Sequence, residues 1–286
     1  MSNPITTRNP YFSTQQARPN QFDQTQFGDQ YGYGQTEYGD QYAAYAQPGA
    51  DVAGPGAFAT ERMTYKDALN KVGLLLGIAL VSGVATAILL PPDAWMPAAM
   101  VSVLGAFVVG MVLAFQRMVK PGLAIAYAVL EGVALGAMTA ALDLFIPGIA
   151  VQTILATAII VGVTLALHYS GTVRTTPKGR KIVITVALGY LIFSLVNLVL
   201  MWTGVLDQAW GARGYEVAGI PLGVLLGAGM ILIASYMLIG DFEDINTAIV
   251  NGAPREFSWT VGIAIVMTIL WIYVEVLRII AILSDR

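Results

Sequence analysis

The sequence predicts an all-α polytopic membrane protein, in which a bundle of seven transmembrane helices follows a disordered N-terminal tail. Hydrophobic residues make up 56% of the 286 residues and charged residues only 12%, whereas soluble domains carry roughly 25% charged residues. The lack of cysteine excludes disulfides, thiolate metal sites and a cysteine nucleophile, and a single histidine, His168, excludes a multi-histidine metal site. The net charge of −3 gives no indication of nucleic-acid binding. The class of protein that agrees with this composition is an integral membrane protein.

The N-terminal segment differs in composition from the rest of the chain. Residues 11–47 are rich in Gln, Tyr and Gly and nearly lack aliphatic side chains. They cannot bury enough apolar surface to offset the entropy lost on ordering the chain. We interpret residues 1–60 as a disordered cytoplasmic tail and residues 61–286 as the transmembrane domain. The tail has neither the basic start nor the apolar stretch of a signal peptide.

Seven apolar runs follow the tail, each close to the ~20 residues that cross a bilayer. In chain order they are Val72–Leu90, Ala98–Phe115, Gly122–Leu142, Ile149–Leu167, Ile182–Leu206, Val217–Gly240 and Thr260–Leu283. Pro91 and Pro92 end the first run, and Pro221 is expected in the first turn of the sixth. Because the connecting loops are short, consecutive helices must be antiparallel, which predicts a compact bundle.

The basic residues between the runs predict the orientation in the membrane. The first, third and fifth loops together contain one basic residue, Arg213. Ten others precede the first helix, stand at its entry, or lie in the second, fourth and sixth loops: Arg62, Lys66, Lys71, Arg117, Lys120, Arg174, Lys178, Arg180, Lys181 and Arg255. This asymmetry predicts a cytoplasmic N-terminus, and the odd number of helices then predicts a C-terminus on the outside.

Glycines four residues apart occur within three of the runs. Small residues let helices approach closely, which matters in lipid because packing rather than hydrophobic burial holds helices together. We expect these glycines to pack within the bundle, and the alternative is the face of a homo-oligomer. The pairs are Gly73 with Gly77, Gly132 with Gly136, and Gly223 with Gly227.

Glu131 lies about ten residues into the third run, roughly 15 Å deep at 1.5 Å per residue. A charged side chain at that depth costs ~2.5–3.5 kcal/mol on insertion scales. Two interpretations stay open, an ion or proton station and a hydrogen-bonded glutamate that fixes the bundle. Asn197 in the fifth run is the expected polar neighbour of Glu131.

Glu275 and Arg278 are three residues apart in the last run, so their side chains share one helix face. The first interpretation is a local ion pair that lets two costly groups enter the membrane together. The second is that Glu275 faces a central cavity and that Arg278 keeps it ionised.

The sixth run ends in an acidic cluster at the predicted cytoplasmic mouth. Asp241, Glu243 and Asp244 place three carboxylates there. Carboxylate oxygens suit a hard cation such as calcium, and neighbouring carboxylates that share protons suit a pH switch. The alternative is a solvated acidic loop. Arg117 lies on the same side and could pair with these acids, while His168 is expected to pack at the interface or to tune gating.

Three segments of residues 60–286 resemble the Bax inhibitor-1 family, also called the transmembrane Bax inhibitor motif family. They are Ala128–Gly136 in the third run, the Gly-Asp-Phe motif of residues 240–242, and Trp271–Leu283 in the last run. Their order in a seven-span bundle is similar to a bacterial branch of the family. The resemblance implies a pH-sensitive calcium leak channel in some members and binding to a membrane protease in others.

The resemblance also implies a pH sensor made of two aspartates, on the sixth and seventh helices. Asp241 matches the aspartate of the sixth helix, because it stands in the Gly-Asp-Phe motif. When the closing Leu-Arg of the last helix is aligned with the family, Thr268 stands at the position of the second aspartate, and threonine cannot ionise. Glu275 lies about 10 Å further along that helix. Either Asp241 pairs with Asp244 instead or the acidic pair is lost. Arg117 resembles the basic residue after the second helix that latches the closed state.

Together these features predict a bacterial inner-membrane protein that passes cations, with calcium as the expected ion, and that needs no cofactor. The expected ion pathway and pH sensor use Asp241, Asp244, Glu131 and Glu275, with Arg117 and Arg278 as partners and with Asp241 and Asp244 as calcium ligands. The alternative is a regulator that does not transport and acts on a membrane protease or a stress response. The protein is not expected to be an enzyme, because no serine/histidine pair, intramembrane aspartate pair or metal site is visible in the sequence.

Overall fold

The computed structural model describes residues 61–285, which form the seven predicted transmembrane helices. All seven are long and apolar enough to cross a membrane, so the chain is a multi-pass membrane protein. The predicted disordered tail, residues 1–60, lies outside the described residues. The helices are α1 (Tyr65–Leu89), α2 (Pro92–Phe115), α3 (Pro121–Asp143), α4 (Ile149–Tyr169), α5 (Pro177–Trp202), α6 (Leu222–Val250) and α7 (Ser258–Ser284).

Local sequence signals explain where several helices begin. Thr64 precedes α1 and forms a capping box with Asp67, whose backbone N–H donates to the threonine hydroxyl at 3.2 Å. Thr176 caps α5 with its hydroxyl, which accepts a hydrogen bond from the Gly179 N–H at 3.0 Å. Helices α2, α3 and α5 each start with proline, which has no N–H to leave unsatisfied in the first turn.

Helix α7 lies at the centre of the bundle and α5 at its edge. Helix α7 packs against α1, α3, α4 and α6, and 44% of its apolar segment is buried inside the protein. Helix α5 packs against α6 and the loop that follows α5, and only 6% of its apolar segment is buried. The packing that holds α5 in place is therefore far weaker than that around α7.

Two glycines bring α1 and α3 into backbone contact. A Cβ atom at Gly132 would lie 2.8 Å from the Cα of Ala79, and one at Gly136 would lie 2.5 Å from the Cα of Gly83. Neither position has space for a side chain, so the expectation that this pair packs within the bundle is confirmed.

The other two glycine pairs differ from each other. Gly223 and Gly227 of α6 face isoleucine side chains of α7, as expected for packing within the bundle. A Cβ atom added at Gly73 or Gly77 of α1 would meet no atom within 4 Å, and both glycines are exposed on the bundle surface. For this pair the expectation of packing within the bundle is wrong.

The bounds of α6 correct the prediction at both ends. Residues 216–221 form a two-stranded hairpin, β1 (Glu216–Val217) and β2 (Ile220–Pro221), whose turn residues Ala218 and Gly219 have φ of 54° and 79°. Two consecutive positive φ values are typical of a tight hairpin turn, so the helix begins at Leu222 rather than at residue 217.

At its other end, α6 continues ten residues past the predicted end at Gly240. Phe242, Ile245 and Ala248 recur every three residues and are buried, so one face of the extension packs against the protein. The acidic cluster therefore lies on the wall of a continuous helix and not in a loop.

Candidate functional site

A cavity of about 680 Å³ lies between α3, α5, α6 and α7. Its wall is mostly apolar, with ionisable side chains at its two ends and one carboxylate from α3. Six site residues were predicted from the sequence, and five of them line this cavity: Asp241, Asp244, Glu131, Glu275 and Arg278. We call the end that contains Asp241 and Asp244 the acidic end, and the end that contains Glu275 and Arg278 the arginine end.

At the acidic end, Asp241 of α6 faces Thr268 of α7. The Thr268 hydroxyl donates a hydrogen bond to Asp241 Oδ2 at 2.7 Å and lies 3.2 Å from the Ala264 carbonyl. The two side chains meet as the alignment of the last helix predicted. A threonine–aspartate hydrogen bond thus occupies the place where the resemblance implied two aspartates.

Asp244 forms an ion pair with Arg180, which lies in the first turn of α5. Arg180 Nη1 is 2.9 and 3.1 Å from the two carboxylate oxygens of Asp244. Arg180 Nη2 donates to the Gly240 carbonyl at 3.3 Å and lies 3.4 Å from Glu243 Oε2.

The basic residue beside Asp244 is Arg180, which was not among the predicted site residues. The predicted pairing of Arg117 with these acids stays a prediction, and Arg117 is the predicted site residue that does not line the cavity. From the sequence, Arg180 is only one of the basic residues that set the orientation. The signal that could have found it is its position in the first turn of α5, on the same side of the bundle as the end of α6.

The ion pair of Arg180 with Asp244 is partly shielded from water. The exposed fraction of the side chain is 29% for Arg180 and 14% for Asp244. Thr175 supports the arrangement, because its hydroxyl accepts a hydrogen bond from Arg180 Nε at 3.0 Å, and its N–H and hydroxyl both donate to Glu243. Such shielding makes the loss of one partner more costly than at a solvated surface.

Glu131 lies along the cavity wall and is hydrogen-bonded within its own helix. Tyr127, one turn earlier in α3, donates its hydroxyl proton to Glu131 Oε1 at 2.8 Å. The predicted neighbour Asn197 is elsewhere: its Oδ1 accepts from the Ala212 N–H at 2.7 Å. That prediction is wrong because the loop after α5 folds back over Asn197 and uses its amide.

At the arginine end, Glu275 is 1% exposed and has three hydrogen-bond donors. They are Arg278 Nη1 at 2.7 Å, the Tyr190 hydroxyl at 2.9 Å and Trp271 Nε1 at 3.2 Å. The two interpretations of this pair are compatible, because Glu275 and Arg278 form a local ion pair and both line the cavity.

A second arginine, Arg213 of the loop after α5, is buried beside this group with 9% exposure. Its Nη2 donates to the Ser194 hydroxyl at 2.6 Å, and its guanidinium lies 5.4 Å from the ring centroids of Tyr190 and of Phe193. Burial lowers the pKa of Arg213, and the charge of Arg278 adds to this effect. This residue could not be predicted from the sequence, because its burial depends on how the loop folds.

His168 packs against aromatic rings at the end of α4. Its ring centroid is 5.7 Å from that of Phe242 and 5.5 Å from that of Tyr169, and the residue is 8% exposed. This geometry supports the expected packing role.

Within residues 61–285, no group of three or more Asp, Glu or His side chains is placed to hold a metal ion. Asp241 and Asp244 are engaged with Thr268 and Arg180. Calcium binding by the two aspartates stays a prediction, and it requires Arg180 to release Asp244.

The fold and the cavity define a class of protein, a multi-pass helical membrane protein with a cavity between its helices that has ionisable side chains at both ends. The chain belongs to the Bax inhibitor 1 like family, whose family model matches residues 3–285. The resemblance read from the sequence is thus confirmed over nearly the whole chain. A search of curated proteins and a search of solved structures each found no match.

Proposed function

We propose that this protein is a cation leak channel, with calcium as the expected ion, whose passage is the cavity. Its gate is the ion pair of Arg180 with Asp244, which we call the gate pair. The observation that carries the proposal is an ion pair that joins two helices, α5 and α6, across one end of a cavity lined with carboxylates. Ionisable side chains inside transmembrane segments are costly and typically mark ion pathways. Membership of a family of channel-like membrane proteins supports the same conclusion.

The gate works through the weak packing of α5. Helix α5 is held to α6 at the acidic end by Arg180 and by the Thr176 N–H, which donates to the Tyr236 hydroxyl at 2.8 Å. When Arg180 releases Asp244, α5 can separate from α6 and the cavity opens at this end. Asp244 and Asp241 then present free carboxylate oxygens, which are suitable ligands for calcium. Glu131 supplies a further carboxylate along the passage.

The sign of the pH response follows from the charges at the acidic end. The charged groups there are Asp241, Glu243 and Asp244 of α6 and Arg180 of α5, and α7 contributes the neutral Thr268. Protonation of an aspartate removes negative charge and weakens the attraction that holds Arg180. The leak is therefore expected to increase as the pH falls.

Asp241→Asn is expected to make the leak less sensitive to pH, because asparagine keeps the shape of the side chain but cannot gain or lose a proton. The measurement is calcium entry into liposomes that contain the purified variant and a calcium-sensitive dye, over a series of pH values. The matched control is Asp93→Asn, which neutralises an exposed aspartate outside the cavity. A full wild-type pH response in Asp241→Asn would show that this carboxylate is not part of the sensor.

The proposed location is the inner membrane of a bacterium, with the N-terminus and the acidic end in the cytoplasm. This orientation rests on the ten basic residues on one side against Arg213 on the other. Because the chain has no cysteine, single cysteines at Ser170 and Asp93 can report it. A thiol reagent that cannot cross the membrane is expected to label intact cells at position 93 only, and labelling at position 170 instead would invert the orientation.

A further inference from the structure

We propose that the arginine end of the cavity binds an anionic amphiphile, a molecule with a carboxylate or phosphate head and an acyl chain. The head would lie beside Arg278, where the positive charge of Arg213 also attracts it. The acyl chain would lie along the apolar wall of the cavity. This site is separate from the proposed gate at the acidic end.

Positive charge exceeds negative charge at the arginine end. Two guanidinium groups, Arg213 and Arg278, lie around one carboxylate, Glu275, which is paired with Arg278. Over residues 61–285, Arg213 has hydrogen-bond and ring partners but no carboxylate within ion-pair distance. Glu275 is thus the shared counter-charge of both arginines. Because a surplus of buried charge is costly, the arginine end is completed by an anion.

The two arginines at this end have hydrogen-bond donors that are not used. Arg213 Nε is buried without a hydrogen-bond partner. In the part of the chain that the structure describes, Arg278 donates hydrogen bonds through Nη1 alone, and its 21% exposed side chain lines the cavity. A guanidinium has five N–H donors in a planar fork that matches the two oxygens of a carboxylate or phosphate. The free edge of Arg278 is thus available to an oxyanion inside the cavity.

The volume and the chemistry of the cavity suit an acyl chain. Its volume of about 680 Å³ is within the range of ~300–1,000 Å³ for small-molecule sites. Its wall between the two ends is mainly aliphatic and includes Leu188 and Leu191 of α5 and Leu270 and Val274 of α7. An acyl chain matches such a wall, whereas a free inorganic anion would leave it empty.

The test uses the full-length protein in nanodiscs of phosphatidylcholine, a lipid with no net charge. Decanoate, decanol and inorganic phosphate are titrated separately at constant ionic strength, and the thermal unfolding midpoint is recorded. Decanoate is expected to raise the midpoint in a saturable way by ~2–5 °C, because a ligand that binds only the folded state stabilises it. Decanol, which has the chain without the charge, is expected to give a smaller shift.

Arg213→Gln removes the surplus positive charge and is expected to weaken decanoate binding about tenfold, because the Coulomb attraction between the guanidinium and the anionic head is lost. Arg213→Lys keeps the charge and should retain decanoate binding. If Arg213→Gln does not fold, loss of binding in Arg213→Lys would still contradict the proposal. Arg174→Gln neutralises an exposed arginine away from the cavity and is the matched control.

Three results would overturn the proposal: equal shifts with decanoate and decanol, an unchanged decanoate shift in Arg213→Gln, or no shift with any of the three compounds. A shift with inorganic phosphate as large as that with decanoate would overturn the amphiphile and assign the site to a free oxyanion. Because no ion flux is measured, the outcome is independent of the proposed channel function.

Discussion

Arg180→Gln is expected to increase the cation leak at neutral pH by at least about tenfold. Glutamine keeps much of the length of the arginine side chain but carries no charge, so the gate pair with Asp244 is lost, together with the charge-assisted contact to Glu243. Each 1.4 kcal/mol shifts an equilibrium about tenfold, and removing one partner of a shielded ion pair costs at least that much. Because only 6% of the apolar segment of α5 is buried, little other packing opposes its separation from α6.

The leak of Arg180→Gln is measured as calcium entry into liposomes at pH 7, with equal amounts of reconstituted protein. Lys181→Gln is the matched control, because it removes the same charge from the neighbouring residue, which is exposed and does not line the cavity. The gate assignment is wrong if both variants leak at the wild-type rate, or if the control leaks as much as Arg180→Gln.

Gly136→Ala is expected to lower the stability of the bundle strongly. A Cβ atom at this position would lie 2.5 Å from the Cα of Gly83 and overlap the Gly83 carbonyl, so α1 and α3 must move apart. Overpacking of a tight core costs ~1–3 kcal/mol. For a protein of this size that corresponds to a fall of ~2–12 °C in the thermal unfolding midpoint.

Gly77→Ala is the control for this substitution, since an added Cβ at Gly77 meets no atom within 4 Å. Alanine also favours helix over glycine by ~1 kcal/mol, so Gly77→Ala should unfold at the wild-type temperature or slightly above it. Thermal unfolding of the purified variants in one detergent compares them directly. Equal midpoints for Gly136→Ala and Gly77→Ala would contradict the close contact between α1 and α3.

The helices could be predicted because each bilayer span needs a long apolar run, and such runs are visible without any knowledge of packing. The predicted end of α6 is wrong because charged residues interrupt the apolar run before the helix ends. Asp241 and Asp244 indicate the end of an apolar segment, although the spacing of Phe242, Ile245 and Ala248 continues the buried face of α6. The helix tolerates the two carboxylates there because Thr268 donates a hydrogen bond to Asp241 and Arg180 donates to Asp244.

The site could be predicted only in part, because sequence spacing reports neighbours within one helix better than neighbours in different helices. The ion pair of Glu275 with Arg278 is visible from a spacing of three residues. The position of Thr268 opposite Asp241 follows from the family resemblance. Arg180 and Arg213 meet their partners across helices and loops, and no periodicity in the sequence indicates such contacts.

Calcium entry into liposomes that carry purified wild-type protein, measured over a series of pH values, tests the channel and its gate most directly. We predict entry that exceeds that of protein-free liposomes and increases as the pH falls, because protonation of Asp241 and Asp244 releases Arg180. Entry equal to that of protein-free liposomes at every pH would contradict the channel and favour the alternative, a regulator that binds a membrane protease without transporting ions.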